Sequence, residues 1–278
     1  MQSEVFLSYD TLGEKSALVR TLYKNLKFTI NASSDLGRYL KAAETAAELV
    51  SNNIQISSDL RVPISKAMRM INLILEANPE QPEDVMLLWR IAKNSLEAGG
   101  SKTSIGIDAA WELDMLTHLR LRRIPAWIAE PDIKMTLEFG EYSIACKKLH
   151  VRNGLLNLIS DGCGQLKQHG VGIIGLNLDL LAKNAEPLEF TSFQEGEAYA
   201  QLLIEKFLAD YRHELHDKIR ESNVLDGFIL STSCCTKIAD SKSDLDICTA
   251  SRYLNYPGSQ DYTSLYRFSV FSNAMKAR

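Results

Sequence analysis

The residues best placed to do chemistry cluster in the stretch EPDIKMTLEFGEYSIACKK, which opens on Glu130, Pro131 and Asp132 and ends on Lys147 and Lys148. Between them Gly140 marks a turn, so the stretch reads as two strands of a hairpin. Strand alternation places Ser143, Ala145 and Lys147 on one face and Tyr142, Ile144 and Cys146 on the other. The small Ala145 therefore leaves room beside the lysine. Upstream, Glu112 shares a helical face with Met115, Leu116 and Leu119, at positions i+3, i+4 and i+7. A carboxylate turned into such a face needs a partner, which can be a cation or an ion pair at the helix edge. Downstream, Gln165 in GQLKQHG follows on the next helical stretch. Carboxylates offer oxygen ligands to hard cations, and a lysine stabilises negative charge developing nearby. Asp132 also suits a strand-entry turn, Lys147 a solvated strand end, and Gln165 an ordinary helix hydrogen bond.

The elements that must hold these residues follow from periodicity and punctuation. IDAAWELDMLTHLRLRR after Gly106 is a helical pattern that Pro125 ends. Two strands follow at about 132–139 and 142–147, then a helix at about 155–169, then GVGIIGLNLDLL, a continuous apolar run of the kind found in buried parallel strands. The order is α-β-β-α-β. EGEAYAQLLIEKFLADYRHELHDKIRES is a long amphipathic helix and LDGFILSTSCC a further buried strand. The segment from Cys235 to Gln260 reads as polar and turn-rich, and YTSLYRFSVF as a final strand. Before the chemistry come three helices: DLGRYLKAAETAAELVSNN, with Asn31, Ser33 and Ser34 as possible caps, then ISKAMRMINLILEAN and PEDVMLLWRIAKNSLEA, separated by NPEQP and ended by Gly99 and Gly100. The opening FLSYDTLG mixes strand and helix patterns. The expected division is a mainly helical region over 1–104 and a core over 105–278.

The ordered combination of a Pro-Asp pair, a hairpin and a strand-terminal lysine resembles the PD-(D/E)xK phosphodiesterase superfamily, over about Trp111 to Leu180. The resemblance implies an α/β fold of restriction-endonuclease-like type, a mixed sheet flanked by helices, here with an N-terminal helical extension. It matches Asp132 to the metal-binding aspartate, Lys147 to the lysine, Glu112 to the acid on the preceding helix, and Gln165 to a glutamine that some families carry on the following helix. It implies a metal-dependent nucleic-acid phosphodiesterase, with Glu112 and Asp132 as ligands of Mg2+ or Mn2+, DNA before RNA as substrate, and a role in restriction or phage defence. One position departs. Ala145 stands where the family carries its second acid, which fits a migrated ligand, an inactivating substitution, or a silent relative that binds nucleic acid or assembles with a homo-oligomeric or other protein partner. Glu130, Glu138 and Glu141 are the candidate replacements; Glu130 and Glu138 share the parity of Asp132, and Glu141 belongs to the turn.

Composition narrows the remaining possibilities. The chain has 278 residues, 45% hydrophobic and 24% charged, as expected of a folded globular protein. A net charge of -4 rules out a surface coated in positive charge, yet leaves a local phosphate path open. RTLYKNLK, HLRLRR and KKLHVR are short enough to be solvated faces. The apolar runs are too short to span a membrane, and MQSEVFLSYDTLGEK lacks a basic stretch followed by an apolar signal, so the cytoplasm is the default expectation. Five cysteines without paired spacing read as reduced thiols. GGSKTSIG lacks the glycine and GK[ST] order of a phosphate-binding loop. His213 and His216 are spaced one residue short of HExxH, and Ser231, Ser233 and Cys234 have no visible base.

Overall fold

The computed structural model describes residues 9–97, 104–181, 187–239, 246–256 and 261–276. The chain is α/β, with a mixed seven-stranded sheet flanked by helices. It divides into two compact units.

The first unit comprises residues 1–113, 183–199 and 233–249. It holds four helices, α1 (Tyr9–Asn25), α2 (Asp35–Ser51), α3 (Ser58–Glu76) and α4 (Pro82–Lys93). The ambiguous opening thus resolves as a helix from Tyr9. Ser34 caps α2 by accepting a hydrogen bond from the Gly37 N–H at 3.1 Å. Leu36, Tyr39, Leu40, Ala43 and Ala46 then recur at helical spacing on its buried face. Pro82 opens α4, with Glu83 and Asp84 in its first turn and Arg90 and Lys93 in its last, the polarity that suits the helix dipole. Tyr23 of α1 is fully buried, and its hydroxyl donates to the Leu88 carbonyl of α4 at 2.9 Å.

The second unit comprises 114–182, 200–232 and 250–278. After α5 (Ile105–Leu121), which starts in the first unit, come β1 (Ala126–Ala129), β2 (Asp132–Leu137), β3 (Gly140–Lys148), a 3-10 turn at Arg152–Gly154, α6 (Leu155–His169) and β4 (Gly172–Asn177). The α-β-β-α-β order holds, with β1 as an additional short strand. It continues with β5 (Leu188–Phe190), α7 (Phe193–Glu221), β6 (Leu225–Ile238), β7 (Asp246–Leu254) and α8 (Tyr262–Lys276). β1, β2 and β3 pair antiparallel; β3, β4 and β6 pair parallel, β5 is parallel to the end of β6, and β7 pairs with β6. Every residue of β4 is buried, as a parallel strand covered on both faces requires.

Two expectations fail in the last third of the chain. The segment taken as polar and turn-rich contains the end of β6 and all of β7, because Ile238, Cys248, Ala250 and Leu254 supply buried residues at alternate positions among polar ones. YTSLYRFSVF is not a strand but the first part of α8. Ser264, Phe268, Phe271, Ser272 and Met275 are its buried residues, and that spacing belongs to a helix. Gly227 lets this helix pack: a Cβ there would lie 2.3 Å from Phe268 Cε2 and 2.5 Å from the Leu254 carbonyl oxygen. Among the described residues no helix is long and apolar enough to cross a membrane.

Candidate active site

Asp132 is the first residue of β2. Its pairing with β3 runs Ile133 to Ile144 and Lys134 to Ser143, so one further step sets Asp132 opposite Ala145. The parallel register on the other side of β3 pairs Ala145 with Ile174 and Lys147 with Leu176. Asp132, Ala145, Lys147 and Ile174 thereby share one face of the sheet. Asp132 Oδ2 accepts the backbone N–H of Cys146 at 2.7 Å and lies 3.9 Å from Lys147 Nζ. Lys147 also donates to Gln165 Oε1. The side chains of Lys147 and Asp132 keep 13% and 17% of their surface exposed, enough for a ligand to reach them.

Three of the four predicted residues thus converge from β2, β3 and α6. Gly162 lets α6 pack closely on Ile174 of the sheet beside this pair. A Cβ at that position would lie 2.8 Å from Ile174 Cδ1 and 3.5 Å from Lys147 Cε. The sequence reading missed Gly162, although a glycine inside an otherwise regular helical pattern is a recognised sign of close packing.

Glu112 belongs to the first unit and is 8% exposed, on the buried face formed with Met115, Leu116 and Leu119. Its Oε2 stands 3.8 Å from Arg90 Nη1. The carboxylate has the cationic neighbour that burial demands, here an arginine.

The replacement acids fare differently. Glu138 lies beyond the far end of β2 and accepts from the Tyr266 hydroxyl at 2.8 Å. Six strand residues at about 3.3 Å each put it about 20 Å from Asp132. Glu141 pairs with Lys134 at 2.8 Å near the same distant turn. The parity argument does not apply to Glu130 and Glu138, because both occupy turns outside β2. Glu130 is exposed in the tight turn between β1 and β2, at the Asp132 end of the sheet.

A hard divalent cation takes oxygen ligands, and Mg2+ commonly uses one or two carboxylates and completes its shell with water and substrate phosphate. Asp132 supplies one such carboxylate, and the Ala145 methyl supplies none. Among the described residues no group of three or more metal-ligating side chains comes together. The donor set fits a cation held jointly with a phosphate better than a closed protein cage. All five cysteines are free thiols, and His213 is a solvated residue 3.5 Å from Asp217. The chain matches no family model, no curated protein and no solved structure.

Proposed function

We propose that the protein is a divalent-metal-dependent nucleic-acid phosphodiesterase with a PD-(D/E)xK-like, restriction-endonuclease-like core, acting on DNA. The observation that supports this is the convergence of Asp132, Lys147 and Gln165 on one face of the sheet, from three elements and in the order the resemblance requires. Asp132 would hold Mg2+ or Mn2+ together with substrate phosphate and water. When bound, the metal supplies Lewis-acid stabilisation of the phosphate and activation of water. Lys147 is held between two acceptors, which points its ammonium group towards a phosphate oxygen or an attacking water and offsets the charge that develops there. Gln165 fixes the rotamer of Lys147. Asp132 is fixed in turn by the Cys146 N–H, so the two groups are set before substrate arrives.

The test is incubation of supercoiled plasmid, linear duplex and RNA with Mg2+ or Mn2+, comparing the natural chain with Asp132→Asn and Ala145→Glu. Cleavage by the natural chain that Asp132→Asn abolishes is the expected result. A second reading, a nuclease fold retained for nucleic-acid binding or protein assembly, is favoured by the fully buried Ala145 and by the ion pair that occupies Lys147. Cleavage by Ala145→Glu alone would identify a silenced nuclease. Inactivity of both chains would support the binding reading.

A further inference from the structure

We infer that the first unit binds the phosphate backbone of duplex DNA through a basic concavity at the C-terminal end of α1; this rests on the reading of nucleic acid as the substrate. The segment RTLYKNLK, short enough in sequence to be a solvated face, is where the structure gathers cations. From Arg20 to Lys41 the chain carries five cations, Arg20, Lys24, Lys27, Arg38 and Lys41, and one carboxylate, Asp35, within a protein whose net charge is -4. Asp35 is buried and already engaged by Arg38, Ser95 and two backbone N–H groups, so it does not neutralise the others. Arg20, Lys24 and Lys27 line a concavity of about 410 Å3 together with Phe28 and Thr29, and none of its lining residues is acidic. Lys93 of α4 reaches the same rim, where it donates to the Thr29 carbonyl at 3.5 Å. Arg20 pairs with Glu44 at 2.6 Å, whereas Lys24 and Lys27 are exposed and have no carboxylate partner among the described residues.

The way α1 ends supplies a second observation. The Phe28 N–H donates to the Tyr23 carbonyl at 2.8 Å and the Lys27 N–H to the Lys24 carbonyl at 3.0 Å, with Lys27 at a φ of 60°. This turn ordinarily closes a helix on glycine or asparagine, because a left-handed backbone crowds any larger side chain. The same turn after α2 uses asparagine, Asn53 at a φ of 57°. At Lys27 a cation stands in the strained position, and its attraction to the helix C-terminus offsets only part of that strain. Positions i, i+4 and i+7 set Arg20, Lys24 and Lys27 on one face. At about 1.5 Å of rise per residue the row is about 10 Å long. A DNA strand advances about 3.4 Å along the axis per phosphate, so the row matches about three successive phosphates. An exposed row of cations fits such an extended polyanion.

The experiment is fluorescence anisotropy of a fluorescein-labelled DNA duplex titrated with the full-length chain in EDTA, which prevents metal-dependent cleavage, at KCl from about 50 to 200 mM. Lys24→Ala and Lys27→Gly are each expected to lower the steepness of log Kd against log salt by about 0.9, the contribution of one phosphate contact, and together to weaken binding at least about 10-fold at the lowest salt. Lys24→Arg should keep the natural salt dependence. Lys27→Gly also relieves the left-handed backbone, so its melting temperature should be no lower than the natural value. Weaker binding with unimpaired folding is a result that a merely solvated face does not produce. Unchanged affinity and salt dependence in the double variant, with the natural chain binding duplex, would overturn the basic concavity and leave the phosphodiesterase reading standing. Inorganic pyrophosphate bound as tightly as duplex would assign the concavity to a small anion and overturn the inference in the same way. No duplex binding by the natural chain would overturn the inference, and no cleavage with it would overturn both.

Discussion

Lys147 is the residue on which the candidate site turns, because it joins Asp132 on the sheet to Gln165 on the helix. On the phosphodiesterase reading, removing its ammonium group would cost the charge stabilisation proposed for a bound phosphate. Lys147→Ala is expected to lower kcat for plasmid nicking by about 10²–10³-fold, the usual loss on removing one such group, with little change in KM. Gly162 acts through Lys147. In Gly162→Val the new side chain must displace the fully buried Ile174 and press on the lysine stem. Overpacking of that kind costs about 1–3 kcal/mol, measurable as a lower urea midpoint, and nicking should fall with it.

At the scale of elements, two polar ties hold segments that apolar packing alone leaves undetermined. The first fixes the chain after α4. Asp35, at the start of α2, accepts from Ser95 Oγ and the Leu96 N–H at 2.7 Å each and from the Glu97 N–H at 3.2 Å, while Arg38 pairs with its other oxygen. Burial works to raise the Asp35 carboxyl, but the Ser95 and backbone hydrogen bonds and the Arg38 charge outweigh it and hold the group below its ordinary range. A carboxyl depressed on folding adds stability that is fully present above its unfolded pKa and is lost as pH falls through the folded one. Urea midpoints should therefore fall below about pH 4 in the natural chain, and the fall should be shallower in Asp35→Asn. The second tie fixes α8 to β6. Arg267 donates to Asp226 through Nε at 2.8 Å and Nη2 at 2.7 Å, and only 1% of the Asp226 side chain is exposed. Asp226→Ala strands a guanidinium there and should cost about 3–5 kcal/mol by denaturant unfolding. Replacing both residues with apolar ones of similar volume should recover most of that loss.

At the scale of the whole molecule, the units are discontinuous in sequence. Residues 183–199 and 233–249 cluster with residues 1–113, although they follow the candidate site in the chain. There Cys234 and Cys248 are buried, and the Cys234 thiol lies 3.9 Å from the Gly196 carbonyl oxygen. A fragment spanning 105–278 would separate these segments from α1 to α4. Expressed alone, it is expected to lose the sharp near-ultraviolet circular dichroism of packed aromatic side chains, whereas the full chain retains it.

The sequence by itself determined most of the local structure and the order of the site. Helical spacing placed α2, α5, α6 and α7, and an uninterrupted apolar run placed β4, because burial imposes its period on nearby residues. Asp132, Lys147 and Gln165 were legible because each ends or faces an element whose type is set locally. Only the tertiary structure decided where the acids go. Glu130 and Glu138 looked equivalent to Asp132 by alternation, but turn geometry removes both from the strand. Likewise α8 became a helix because Phe268 and Phe271 find their partners across long stretches of chain. Strand and helix patterns compete in so short an apolar segment, and long-range burial, which no local window contains, settles the competition.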